Sequence, residues 1–136
     1  MSFSKKKCFL HIGTPKTGST ALEQFLFLNS KELSEQGWLY PSRNIRGYGH
    51  HDIAFLMNDG YPDWATPQDK SLNQLINDLK EELDNQKHCI LSSENFYLFP
   101  NPEKLLFLLE SFGFELGSIK IVIYVRRQDD IHMSWY

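Results

Sequence analysis

The 136-residue chain switches repeatedly between short apolar runs and segments with helical periodicity. Residues 7–12 form an apolar run closed by Gly13-Thr14-Pro15, the pattern of a buried strand followed by a loop. Leu22, Phe25, Leu26 and Leu33 recur at helical spacing, with Phe27 and Leu28 widening the apolar face, and Gly37 is placed to end the helix. This predicts one helix over residues 19–35. Thr20 and Glu23 have capping-box spacing, in which hydroxyl and carboxylate each satisfy an orphan backbone N–H. Residues 38–41 suggest a short strand and residues 43–64 mostly loop, with a short helix over 51–57. Leu72, Leu75, Ile76, Leu79 and Leu83 make an amphipathic stripe, so residues 71–86 read as a helix. A second strand is expected over 88–93. Asn101 and Pro102 then open a helix that Gly113 follows, with Leu105, Leu108, Leu109 and Phe112 on its buried face. Residues 119–125, β-branched and largely apolar on both faces, give the strongest strand, and a last helix is expected from Asp129 or Asp130.

Strands that alternate with helices and lack a polar face predict an α/β domain: a parallel sheet flanked by helices. Composition agrees with one globular domain over residues 1–136, since the chain is 41% hydrophobic and 23% charged. A net charge of -3 argues against coating nucleic acid through bulk positive charge. Cys8 and Cys89 both lie in apolar runs and are expected as buried free thiols of a cytoplasmic protein. No apolar run has the length of a membrane span or of a signal-peptide core.

Ligands of parallel sheets sit beyond the carboxyl ends of the strands, so the residues just past each strand carry the functional expectation. The first such segment is Gly13-Thr14-Pro15-Lys16-Thr17-Gly18-Ser19-Thr20. Backbone N–H groups at a helix start, the Lys16 charge and the hydroxyls of Thr17, Ser19 and Thr20 suit a phosphate-like anion, and Gly18 permits close approach. Gly13 and Gly18 have the spacing of a Walker A loop, but Ser19 stands at its lysine position, which argues against an ordinary ATPase or GTPase. The plainer reading is a turn with a solvated lysine. In another such segment, Arg126 ends a strand and Ser134 falls in the second turn of the following helix. A guanidinium fork and a hydroxyl there suit a second phosphate, the plainer reading being an ion pair with Asp129 or Asp130.

Together these segments resemble the sulfotransferases that use 3′-phosphoadenosine 5′-phosphosulfate. Pro15-Lys16-Thr17-Gly18-Ser19-Thr20 matches the family's 5′-phosphosulfate loop, and Arg126 with Ser134 eight residues later matches its 3′-phosphate element, with Asp130 between them. The resemblance covers nearly the whole chain and is nearer to bacterial and carbohydrate-type members than to enzymes that sulfate small phenols, whose loop usually ends in Trp where Ala21 stands. It implies the family's P-loop-like three-layer fold. It also implies 3′-phosphoadenosine 5′-phosphosulfate as cosubstrate, no metal, and in-line transfer of the sulfuryl group to an acceptor hydroxyl or amine. Lys16 would stabilise charge on the leaving oxygen and Glu94, in Ser92-Ser93-Glu94-Asn95-Phe96, would be the base. Glu94 falls where small-molecule members carry a catalytic His, and other branches use a Glu. Its plainer reading is a structural ion pair or cap.

His50 and His51 are the rivals, one of them either contacting the substrate or acting as the base in place of Glu94. Adjacent side chains point apart, so joint chelation of a metal is not expected, and their plainer reading is partly exposed loop histidines. His11 reads as strand packing, and neither it nor His132 is assigned a role. Trp38, Tyr40, Tyr48, Tyr61 and Trp64 offer aromatic faces for an acceptor ring or pack the loop on the core. Family members are longer, so the resemblance implies a domain incomplete at its C-terminus, weak or inactive alone, with an apolar face left bare for self-association. The acceptor, carbohydrate or other small molecule, is not named by the sequence. The competing function is a non-catalytic nucleotide- or phosphate-binding module, or an atypical small-molecule kinase that would need Mg²⁺.

Overall fold

The computed structural model describes residues 6–13, 19–58, 60–83, 88–97 and 102–123, without the side chains of residues 19 and 20. Four strands form one sheet: β1 (Cys8–His11), β2 (Trp38–Leu39), β3 (His88–Ser92) and β4 (Ile119–Val122). All pairings are parallel and the order is β2-β3-β1-β4. Between them run α1 (Ser19–Leu28), α2 (Ser30–Glu35), α3 (His51–Met57), α4 (Leu72–Leu83) and α5 (Pro102–Ser111). The expected α/β class, a parallel sheet with flanking helices, is therefore present.

The topology explains where the helices go. A right-handed crossover from β1 to β2 runs in one direction across the sheet, whereas those from β2 to β3 and from β3 to β4 run in the other. Opposite directions put α1 on one face and α3, α4 and α5 on the other. The side chains follow. Alternate strand residues point to alternate faces, so Cys8, Leu10, Cys89 and Leu91 join Ile53, Ala54, Leu79, Leu83, Leu105 and Leu109 in the main core. His11 and Ser92, register partners one residue further along, point to the α1 side. Cys8 and Cys89 are buried free thiols paired in register across β1 and β3, and burial pushes the Cys89 thiol up.

The helix expected over 19–35 is interrupted at Asn29, which separates α1 from α2. The Asn29 amide donates to the Phe25 carbonyl at 2.7 Å, competing with the backbone for that acceptor. The ladder survives on either side, with Asn29 N–H on Phe25 O and Leu33 N–H on Asn29 O, both at 3.0 Å. Asn29, at φ -106° and ψ 15°, stands between the two helices as the N-cap of α2. The strand expected over 119–125 is present as β4, the last two residues of that expected range lying outside the described residues, as does the whole helix expected from Asp129 or Asp130. Phe25 and Leu28 on α1 and Phe107 on α5 are exposed. Among the described residues no helix is long and apolar enough to cross a membrane.

Candidate functional site

Because the connections after β1 and β3 leave toward opposite faces, a crevice opens between the carboxyl ends of these neighbouring strands. Glu23 fills its floor. It lies on α1 and is 3% exposed, with its carboxylate held from two directions. Ser92 Oγ at the end of β3 donates to Glu23 Oε2 at 2.9 Å, and His51 Nε2 stands 3.7 Å from Oε1. Behind Ser92, His11 Nδ1 at the end of β1 lies 2.8 Å from Ser92 Oγ. Since Ser92 spends its only hydrogen on Glu23, the His11 ring donates, and the three groups form one chain, His11 to Ser92 to Glu23. Burial pushes Glu23 up to about 7, opposed by the Ser92 hydrogen bond and reinforced by the nearby Glu94 charge.

The next residue of the chain serves the other side. Ser93 points away from Ser92, toward α3, and its Oγ is 2.7 Å from His51 Nδ1. Ser93 Oγ accepts the Asn95 backbone N–H at 3.1 Å, and the Asn95 side-chain amide lies 3.1 Å from His51 Nδ1. Two donors on Nδ1 leave the proton of the neutral ring on Nε2, the nitrogen beside Glu23. Burial lowers the His51 pKa, and although the Asp52 charge opposes this, the Arg46 charge adds to the lowering. The ring is neutral at pH 7.

His50 behaves differently from its neighbour. It is fully buried, its Nδ1 accepts the Ser92 backbone N–H at 3.0 Å and its Nε2 donates to the Pro41 carbonyl at 2.9 Å. Burial pulls its pKa down to about 4. With both nitrogens spent on backbone, His50 fixes the loop before α3 to the end of β3 and has none left for a ligand. The expectation of two partly exposed loop histidines is corrected: one is core, the other lines the cleft.

The cleft has a volume of about 410 Å³, and its walls include Arg46, Tyr48, Phe55 and Trp64 besides Glu23, His51, Glu94 and Asn95. Arg46 is tied to the buried Asp52 carboxylate at 2.6 Å, and Asp52 also accepts from the Gln68 amide. Gly49 sits against the Glu23–His51 pair. A Cβ there would stand 2.4 Å from Glu23 Oε2 and 2.7 Å from His51 Nε2, so any larger residue must displace these two side-chain ends. A second cavity of about 340 Å³ adjoins the first, sharing Phe55, Trp64 and Asn95 as lining.

Of the residues expected from sequence, Glu94 opens a 3-10 turn (Glu94–Phe96) and lines the cleft with His51. Pro15, Lys16, Thr17, Gly18, Arg126 and Ser134 lie outside the described residues, and of Ser19 and Thr20 only the backbone, in α1, is described. Among the five aromatics, Tyr48 and Trp64 line the cleft, whereas Trp38 packs on Phe9 and His88 and Tyr40 is buried, its hydroxyl donating to Tyr48 O at 2.6 Å. Glu23, His11 and Ser92 were not expected. The T-x-x-E spacing suggests a cap for Glu23, but α1 already begins at Ser19, so Thr20 is inside the helix and the carboxylate turns to the sheet. Among the described residues no group of three His, Cys, Asp or Glu side chains is arranged to hold a metal ion. No family model, curated protein or solved structure matches the chain.

Proposed function

We propose that this protein is a sulfotransferase, which moves a sulfuryl group from 3′-phosphoadenosine 5′-phosphosulfate to an acceptor hydroxyl or amine lying in the Glu23–His51–Glu94 cleft. One observation supports this reading most. The segment with the phosphosulfate-loop pattern joins β1 to α1, and α1 itself carries Glu23. Four residues separate Ser19 from Glu23, about 6 Å along a helix axis. An anion held at the start of α1 would therefore border a cleft equipped to manage an acceptor's proton.

Attack by the acceptor oxygen or nitrogen forms its bond to sulfur as the bond from sulfur to the 5′-phosphate oxygen breaks, and 3′,5′-bisphosphoadenosine leaves with that electron pair. Lys16 and the backbone N–H groups of its loop stabilise the charge that grows on the leaving oxygen. Arg126 and Ser134 hold the 3′-phosphate, which separates this donor from ATP. A cleft carboxylate receives the acceptor's proton, the part the family resemblance gives to Glu94.

Calorimetric titration tests the donor. Wild-type protein should bind 3′,5′-bisphosphoadenosine without Mg²⁺, and Arg126→Ala should weaken that binding far more than binding of 5′-AMP. Lys16→Ala should cut turnover by about 10²-fold or more, the scale of one lost preorganised donor. Equal losses for the two nucleotides remove the 3′-phosphate assignment, and binding only of Mg²⁺-ATP points instead to a kinase.

A further inference from the structure

The geometry points to Glu23, with the His11–Ser92 chain behind it, as the group that takes the acceptor's proton, and to Glu94 as the neighbouring charge that tunes it. This rests on the sulfotransfer reading above and deepens it. Three features of Glu23 suit a base better than those of Glu94. It is buried at the floor of the cleft, where solvent competes least for the incoming proton. Its two oxygens have separate duties, because Ser92 holds Oε2 while Oε1 lies toward His51. A proton arriving at Oε1 leaves the Ser92 hydrogen bond intact, so no side chain must move during the step. The His51 Nε2–H is 3.7 Å from that same oxygen and can orient an acceptor oxygen placed between them. The acceptor loses one proton to Glu23 as its bond to sulfur forms, and Glu23 releases that proton to water after the products leave.

Among the described residues, the groups around Glu23 are His11 and Ser92 from the sheet, His51 from α3, Glu94 and Asn95 from the turn after β3, Arg46 and Tyr48 from the loop wall, and Tyr40 beneath. The Tyr40 phenol is pushed up by burial and by the Glu23 charge and stays protonated. His50 and His51 are neutral at pH 7. Glu94 and Glu23 therefore form a carboxylate pair whose unequal surroundings split their duties. The expected titration of Glu23 near 7 follows from its burial and from the Glu94 charge.

The test uses the full chain with three variants, Glu23→Gln, Glu94→Gln and Ser92→Ala. Carbon-13 NMR of glutamate carboxyls should show one residue titrating near 7 that is lost in Glu23→Gln. Its midpoint should fall in Glu94→Gln, where the repelling charge is gone, and rise in Ser92→Ala, where the donor is gone. Breakdown of 3′-phosphoadenosine 5′-phosphosulfate, with water as acceptor, should lose rate below pH 7 in wild type. Glu23→Gln should slow it by about 10²-fold or more and abolish that acid limb, with unchanged calorimetric affinity for 3′,5′-bisphosphoadenosine. A Glu23 that titrates in the ordinary carboxylate range overturns the assignment. So does an acid limb that survives in Glu23→Gln but vanishes in Glu94→Gln. Failure of wild type to bind 3′,5′-bisphosphoadenosine overturns the donor reading instead, and with it the step assigned here.

Discussion

Replacing Glu23 by Gln should make the protein more stable at pH 8 and change it little at pH 5. A carboxyl that titrates near 4.5 in the unfolded chain and at about 7 in the folded one binds more protons when folded throughout that interval. Stability must then fall as pH rises through it, and the loss is complete above 7. At about 1.36 kcal/mol per pH unit, the difference amounts to roughly 3 kcal/mol. Relaxation and water penetration around a buried charge reduce such a penalty, so about 1–3 kcal/mol is the effect expected. Gln cannot ionise, keeps the shape, and can still accept from Ser92. The buried histidines act in the opposite sense. Their folded pKa values are lowered, so the unfolded chain protonates first and their contribution is lost as pH falls below about 6.5. Wild-type stability alone would mix the two trends, but subtracting the Glu23→Gln curve removes the histidine part. The assay is urea denaturation of both proteins from pH 5 to 8. Parallel curves would mean that Glu23 is ionised at ordinary cost, and the account of its burial would be wrong.

Three further outcomes test the supports of the cleft. His50→Ala leaves the Ser92 N–H and the Pro41 carbonyl buried without partners, together with a cavity, and should cost about 2–4 kcal/mol in chemical denaturation. Asp52→Ala removes the buried partner of Arg46 and Gln68 and should cost about 3 kcal/mol or more, with faster amide exchange in the loop carrying Gln68. Gly49→Ala should leave the core melting nearly as before while displacing the Glu23 carboxyl, read as a changed Glu23 titration midpoint.

Most of the architecture was legible because it is written in local periodicity. The runs at Cys8–His11, His88–Ser92 and Ile119–Val122 are short, apolar and bounded by turn residues, and the Leu72–Leu83 stripe has helical spacing. The break at Asn29 was missed because it depends on one side chain capturing one carbonyl, which barely disturbs the apolar pattern. Glu94 was legible by its place after a strand. Glu23 was not, because a sufficient local explanation, the capping spacing with Thr20, hid a contact to Ser92 made 69 residues away.

The signal that could have exposed Glu23 is the polarity of the strand ends. His11 and Ser92 each sit where an otherwise apolar strand should bury one more hydrophobe, and each is nearly solvent-free. A buried polar side chain must find a partner. Strand register then makes the two find each other, since Cys8 opposite Cys89 places His11 opposite Ser92. The pair satisfies the His11 donor but leaves the Ser92 hydrogen pointing on toward the α1 face, which demands an acceptor there. Leu22 and Leu26 are apolar and Ala21 and Gln24 are exposed, so Glu23 is the buried residue of that turn of α1 with an acceptor to offer. Its burial and its elevated pKa are thus consequences of ending two hydrophobic strands in His and Ser, and if both were replaced by valine the carboxylate would lose its reason to turn inward.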